Sequence, residues 1–249
     1  MIPHSPENRT FVYNKLMVKA PTANPEQPVD KVGRRNTIIL LICFIAVVLT
    51  TIWVLVRPFI LSNFDRRYRT IDGIVTPTQI TKTGSEHIER GDASATLRYR
   101  AKYDIRGIVV STARYASDSV IDRISPYDIG LAWGEMAKHN NLIKWHQGHR
   151  YLTASVNVIA KWFINKSQEE LFQQYSNNHL VFKDESLFEK AQSFQVGDYI
   201  RIKGYLVDVD AYRTTEPAVK HSLKTSLTRK DDGEDSCEVI LVTKIESLD

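Results

Sequence analysis

Three histidines lie close together in the middle of the chain, and histidine commonly binds metals or moves protons near neutral pH. His139, His146 and His149 fall within "KHNNLIKWHQGHRY". A zinc site needs three or four ligands at a recognisable spacing, such as two histidines four residues apart on a helix. The spacing here differs from that pattern and no thiol is near. Two interpretations are therefore open: a metal site at these histidines, or a polar loop rich in aromatic residues.

Two serine or cysteine nucleophiles are also candidates for chemistry. In "VKHSLKTS", Ser222 and Lys224 share one face of a strand while His221 faces away, which allows a Ser–Lys dyad of a hydrolase. His146 is a further catalytic candidate. Cys237 is the second nucleophile, but no nucleophile motif such as G-x-S-x-G is present. Alternating surface polarity explains Ser222 and Lys224 equally well, so no catalytic residue is assigned.

Amide and carboxylate groups complete the set of candidates. Asn178 stands beside His179, a pair of types that serves in some nucleophilic sites. Asp208 and Asp210 follow a strand and can act as acid and base only if burial separates their pKa values.

The acidic run "RKDDGED" combines Asp-Gly with neighbouring charges between two β-rich segments. We interpret it as the turn of a β-hairpin formed by "SLKTSLT" and "CEVILVTKI", with Cys237 buried as a small apolar side chain. The alternative is a divalent-cation site, although the spacing of a calcium loop is missing. Its ligands would be Asp231, Asp232, Glu234 and Asp235. No cofactor is predicted.

These candidates belong to a chain with a strongly apolar segment near its beginning. Residues 36–56 contain no charge, glycine or proline, and about 20 such residues cross a ~30 Å hydrocarbon core. A buried core helix is shorter and has a polar face, and a signal peptide has a shorter apolar run and a cleavage site. We therefore predict an uncleaved transmembrane anchor at 37–60. Its lipid-facing residues include Ile38, Leu41, Phe44, Val47, Trp53 and Val56.

Charge gives the expected orientation. Residues 1–62 hold 7 basic and 3 acidic residues, a net charge of +4, and residues 63–249 hold 26 of each. The excess positive charge on or before the anchor favours a cytoplasmic N-terminus and an outer, in a bacterium periplasmic, C-terminal domain. Cys43 in the span and Cys237 in the domain cannot pair, so the domain relies on its core rather than on a disulfide.

The rest of the chain divides into a tail and one domain. Residues 1–36, with several prolines and small polar residues, are predicted to be a disordered tail. Residues 63–249 are predicted to be a soluble α+β domain. In "ATLRYRAKYDI" the alternation places residues 97, 99, 101, 103 and 105 on one face of a strand. Helix starts are predicted at Ser125-Pro126, at Ser167-x-x-Glu170 and at Ser186-x-x-Glu189.

"FQVGDYIRIKGYLVDVD" is the most informative strand motif. A tight turn precedes alternating residues, and Gly204 interrupts the strand as a bulge or barrel bend does. The pattern resembles strands of OB-fold and SH3-like barrels, so the fold class is predicted to be a single transmembrane helix followed by a mostly antiparallel, partly barrel-like β domain with short helices. The neutral charge of this domain argues against nucleic acid as a partner.

Several segments together resemble a group of predicted bacterial single-pass envelope proteins to which no activity is assigned. They are "YDIRGIVVS", "SPYDIGLAWGEM", "NNHLVF", "GDYIRIKGYLVDV" and "TSLTRKDDGEDSCEVI". The resemblance covers most of residues 95–245 and implies one folded unit, with no catalytic residues to transfer. The expected function is an inner-membrane interaction or assembly protein that binds protein partners in the cell envelope. The alternatives are a membrane-anchored hydrolase and a domain that binds a small ligand.

Overall fold

The computed structural model describes residues 31–156, 160–229 and 237–249. The chain forms two compact units, Met1–Leu49 and Thr50–Asp249, and helix α1 (Lys31–Phe64) contributes to both. Helix α1 starts six residues before the predicted anchor and ends four residues after it. Residues 1–30 of the predicted tail lie outside the described residues, whereas 31–36 are helical.

Within the described residues, one helical segment is long and apolar enough to cross a membrane. It covers Arg34–Phe64, with a mean hydropathy of 3.1 in its most apolar part, and none of that part is buried. The six predicted anchor residues are all exposed, from 42% at Val56 to 66% at Phe44. Such a surface, uncovered by protein, matches the apolar surroundings that a bilayer supplies.

The second unit is built mainly from strands. The strands of the main sheet are β1 (Thr78–Thr81), β2 (Ser85–Arg90), β3 (Ala93–Arg114), β4 (Tyr127–Ala132), β7 (Tyr175–Phe182), β8 (Tyr199–Arg213), β9 (Glu216–Leu223) and β10 (Glu238–Ser247). A separate hairpin consists of β5 (Ile143–Gln147) and β6 (Leu152–Val156). The short helices are α2 (Val120–Ile124), α3 (Gly134–Lys138), α4 (Ala160–Phe163), α5 (Gln168–Phe172) and α6 (Glu185–Ser193), with 3-10 turns at Arg66–Tyr68 and Asn140–Leu142.

The order of strands in the main sheet is β1-β3-β4-β7-β10-β8-β9, with β2 also paired to β3. Because β3 pairs with β4 along one part and with β8 along another, the sheet partly closes on itself. Among the described strands of this sheet, only β7 and β10 run parallel. An apolar helix followed by a mostly antiparallel β domain with short helices is therefore confirmed.

Alternating residues of the sheet supply two apolar cores, one on each face. The larger core contains Ile202 of β8 and Ile240 of β10, and helix α6 packs into it through Phe188. The smaller core contains Val209 and Leu241 from the same two strands, and helix α2 covers it. Central strands are thus buried on both faces, which is why β10 is a nearly continuous apolar run.

The predicted face of the first half of β3 is wrong in one respect. Leu97 belongs to the smaller core, whereas Ala101 and Ile105 belong to the larger one. The register with β8 shifts between Tyr99 and Ala101, so Arg100 is an extra residue in the ladder. After this bulge, the side chains of β3 that had faced one side of the sheet face the other. The unbroken alternation in the sequence therefore places Leu97 and Ala101 on opposite faces.

Two further sequence predictions are corrected. The helix predicted from Ser125 is instead strand β4, in which Tyr127, Ile129 and Leu131 face the larger core. The predicted terminal hairpin is not formed by paired strands, because β9 ends at Leu223 and pairs with β8, while β10 pairs with β8 and β7. A backbone hydrogen bond from Ser226 to the carbonyl of Cys237 joins the two predicted segments, and residues 230–236 of the turn lie outside the described residues. Strand β10 is buried on both faces and therefore lies in the middle of the sheet. Strand β9 instead forms a hairpin with β8, because only two residues separate them.

The two capping motifs differ in outcome. Ser167 caps α5, and its reciprocal hydrogen bonds with Glu170 form the predicted capping box. The second predicted helix is present as α6, but it begins at Glu185 with Asp184 as its N-cap residue. Ser186 therefore lies inside the first turn of α6 rather than before it.

Candidate functional site

The parallel pairing of β7 with β10 brings two polar segments of the sequence side by side. Asn178 lies opposite Glu238, and His179 lies opposite Val239. Because neighbouring residues of a strand point to opposite faces, these segments create one polar cluster on each face of the sheet. Both clusters are buried, and burial of polar groups requires that they be paired.

Asp128 is the centre of the first cluster and is fully buried. Its Oδ1 lies 2.8 Å from Nδ1 of His179. Its Oδ2 accepts hydrogen bonds from the hydroxyl of Tyr115 at 2.8 Å and from Nδ2 of Asn177 at 2.9 Å. Strand β4 places Asp128 directly opposite His179 of β7, so the backbone register itself sets this geometry.

Arg150 connects this centre to helix α2. Its guanidinium donates to Oδ1 of Asp122 from Nε at 3.0 Å and from Nη2 at 2.6 Å. Nη2 also donates to the carbonyl of Ser125, and Nη1 lies 4.0 Å from Oδ1 of Asp128. Burial acts to raise the pKa of Asp122, but hydrogen bonds from Ser117 and Arg150 outweigh it and lower that pKa. Helix α2 is thereby held over the cluster.

Tyr115 and Cys237 complete the first cluster. The backbone N–H of Arg150 donates to the hydroxyl of Tyr115 at 2.9 Å, and its guanidinium lies 4.6 Å from the centre of that ring. Arg150 adopts a positive φ of 61°, a conformation uncommon for a residue with a side chain. Burial, reinforced by the charge of Asp128, raises the pKa of Tyr115. The thiol of Cys237 contacts the carbonyl of Arg150 at 3.7 Å.

The chemical capacity of this cluster depends on the orientation of His179. In the neutral imidazole, donation from Nδ1 to Asp128 leaves Nε2 as a proton acceptor, which is the arrangement of a histidine general base. The thiol of Cys237 joins this cluster through its contact with the carbonyl of Arg150. The residue types are those of a cysteine nucleophile, a base and an orienting carboxylate. The same contacts also fix the packing of α2 and the β5–β6 hairpin against the sheet.

Glu238 is the centre of the second cluster, on the opposite face. It is fully buried and forms an ion pair with Arg229. The Arg229 guanidinium donates to the hydroxyl of Tyr103 and lies 5.4 Å from the ring centre of Trp133. Burial raises the pKa of Glu238 to about 7, a larger effect than the opposing one of Arg229. Burial and the charge of Glu238 raise the pKa of Tyr103 well above its usual value.

The three histidines considered as candidate metal ligands do not meet at one point. His139 lies 3.2 Å from Glu135 of α3, whereas His146 is in β5 and its ring faces Tyr151. His149 is mostly exposed and lies near Asp122. In the described part of the chain, no group of three or more histidine, cysteine or acidic residues is placed to hold a metal ion.

The other predicted residues do not share one environment: the serine and lysine are on the surface, whereas Asp208 and Cys237 are buried. Ser222, in edge strand β9, and Lys224, just after it, are both exposed, and Ser222 lies opposite Asp210. Asp208 and Asp210 pair with Arg100 and Arg98 rather than with each other. Cys237 is buried, as predicted. The acidic residues proposed as cation ligands (Asp231, Asp232, Glu234 and Asp235) lie outside the described residues.

The sequence interpretation missed the central members of both clusters. Asp128 alternates with the apolar residues of "YDIGLA", but the helix-start signal before it obscured that period of two. Glu238 is an acidic residue at the start of the apolar run of β10, which is a detectable signal of a buried charge. No local pattern identifies Arg150, because its partner Asp122 is 28 residues away. Arg229 is only nine residues before Glu238, but no spacing rule links a residue outside the strand to the first residue of β10.

The chain was compared with models of protein families, with curated proteins and with solved structures, and none of them matches it.

Proposed function

We propose that this chain is a single-pass membrane protein whose β domain binds a protein partner along the edge of β9. The observation that carries this proposal is the exposure of that strand: seven of its eight residues are exposed and the last is half-buried. Among the described residues, β9 is the last strand of its sheet and pairs with β8 alone. An uncovered strand edge offers backbone donors and acceptors to a strand of another protein.

The composition and position of β9 support this role. Val219 is 50% exposed, and Pro217 is of the type tolerated on edge strands. The ladder between β3 and β8 has fifteen paired positions, from Tyr199 to Arg213 of β8. At ~3.3 Å per residue it is roughly 45 Å long. The chain leaving α1 joins the Tyr199 end, where Arg66 pairs with Asp198, whereas β9 pairs with the other end.

We further propose an OB-like arrangement for the partly closed part of the sheet. Five strands form a closed series of pairs: β3 with β4, β4 with β7, β7 with β10, β10 with β8, and β8 with β3. Strands β7 and β10, the third and fifth of these in chain order, are parallel. Helix α6 lies between β7 and β8, the third and fourth. OB-folds bind varied ligands, so this likeness supports a binding role without naming the ligand.

The proposed location is the inner membrane of a bacterium, with the N-terminus in the cytoplasm and the β domain in the periplasm. The charge distribution around the span and the resemblance to envelope proteins support it. Alkaline phosphatase fused after Asp249 is expected to be active. Activity of a reporter that functions only in the cytosol would reverse the orientation.

The partner proposal is tested by purification of the tagged full chain from mildly solubilised membranes. We expect a near-stoichiometric protein partner with the wild type, and loss of that partner with Val219→Lys, because an edge lysine opposes strand addition. Ile80→Lys is the matched control, since Ile80 is 67% exposed on strand β1 at the other end of the sheet. Recovery of the chain alone, or equal recovery of the partner with both variants, contradicts the proposal.

A second candidate function is hydrolysis, and the contact between Asp128 and His179 in a cluster with Cys237 favours it. Ester substrates incubated with the full chain in nanodiscs test this function. Turnover that Cys237→Ser abolishes and Ser222→Ala leaves unchanged supports a thiol enzyme. Turnover that depends on Ser222 supports the exposed dyad instead, and absence of turnover argues against both.

A further inference from the structure

Helix α4 exposes two aromatic side chains to an unusual degree. Trp162 is 88% exposed and Phe163 is 55% exposed. The segment is nevertheless attached to the domain, because the residues on either side, Ala160 and Ile164, are buried in the larger core. Large aromatic residues that stay uncovered on an anchored segment indicate a surface that contacts something else.

This surface lies beside the end of the apolar helix. The ring of Phe163 meets that of Phe59 edge to face, with 5.7 Å between ring centres. The neighbouring Pro58 accepts a hydrogen bond through its carbonyl from the side chain of Asn141 at 3.3 Å. Both contacts are within the second unit of the chain. They place α4 at the level where α1 joins the β domain.

That level corresponds to the surface of a bilayer. The uncharged run from 36 to 56 is about 31 Å long as a helix, which matches the hydrocarbon core. Arg57 is the first charged residue after it, so Phe59 falls within the headgroup region. Tryptophan is enriched at this depth because its ring is apolar and its N–H is polar. The exposed Lys161 beside Trp162 suits the same region, since lysine extends its charge towards water.

We propose that α4 is a second membrane contact, in which Trp162 and Phe163 enter the headgroup–acyl boundary of the bilayer that α1 crosses. This inference rests on the proposed anchoring by α1. A helix and a separate aromatic contact together restrict rotation of the β domain about α1. The domain is then held in one orientation on the membrane, which directs the edge of β9 in a fixed direction.

The test uses the full chain in nanodiscs of phosphatidylcholine and phosphatidylglycerol, with and without bromine on the acyl chains. The fluorescence of the wild type minus that of Trp162→Phe is the contribution of Trp162. The same subtraction with Trp53→Phe gives the contribution of Trp53 in the span. We expect brominated lipid to remove most of the Trp162 contribution, while aqueous iodide removes little. Because Trp162 is exposed, its replacement by phenylalanine leaves the fold intact.

A matched control places a tryptophan on an exposed site of β9, as Val219→Trp in the Trp162→Phe background. It should be quenched by iodide and not by brominated lipid. If Trp53 is quenched by lipid while Trp162 responds only to iodide, the α4 contact is overturned and the anchor stands. If neither responds to lipid, both the contact and the anchor proposed for α1 are overturned.

Discussion

Replacing Glu238 by glutamine should change how the stability of the β domain depends on pH. The buried carboxyl has a pKa of about 7, against 4.5 for the free side chain. A difference of this size corresponds to roughly 3 kcal/mol, since one pKa unit is about 1.4 kcal/mol. The folded protein holds this proton more tightly than the unfolded chain. The stability linked to Glu238 is therefore fully present below pH 4.5 and is lost as pH rises through 7.

Glutamine keeps the shape of Glu238 and does not titrate. The free energy of unfolding of Glu238→Gln relative to the wild type should therefore rise by about 2–3 kcal/mol between about pH 5 and pH 8. Urea unfolding of the full chain in detergent micelles, followed by tryptophan fluorescence, measures this difference. Trp133 is a suitable reporter because it is buried against Arg229, the partner of Glu238.

Glu246→Gln is the control for general effects of pH. A hydrogen bond from Lys244 holds the pKa of Glu246 below its usual value, so its contribution has the opposite sign. A difference between wild type and Glu238→Gln that stays constant with pH would contradict a raised pKa for Glu238. A difference that falls as pH rises would mean that the charge of Arg229 outweighs burial and lowers the pKa of Glu238.

The other predictions concern the first cluster and the join to α1. Asp128→Ala should lower the free energy of unfolding by about 3–5 kcal/mol, because buried donors lose their acceptor; the exposed Asp118→Ala should change it by less than about 0.5 kcal/mol in the same urea titration. Gly197→Ala should lower the free energy of unfolding more than Gly73→Ala does. For Gly73→Ala we expect a decrease of about 1–2 kcal/mol, because its positive φ disfavours a side chain. At Gly197 the added Cβ also meets the carbonyl of Arg66, whereas nothing lies within 4 Å at Gly73, so equal urea midpoints for the two variants contradict this packing.

The fold was predictable where a local pattern has one structural meaning. The apolar run gave α1, and the Ser167–Glu170 capping box gave α5 because both partners lie within one turn. The alternation in β3 identified the strand but not its faces, since Arg100 forms a bulge that only the register with β8 reveals. Strand β4 was missed because Ser125 and Pro126 resemble a helix start, although α2 in fact ends before them.

The candidate site was not predictable, because its members come from strands far apart in the sequence. His179 and Glu238 became neighbours in the sheet only through the parallel pairing of β7 with β10, which no local signal specifies. Once formed, the two polar clusters explain how that pairing is kept in register. A shift of β10 by one residue would move Glu238 to the face of Val181 and Leu241, away from Arg229. An unpaired buried carboxylate is costly, so the same groups that suggest chemistry also select a single register for the strands that carry them.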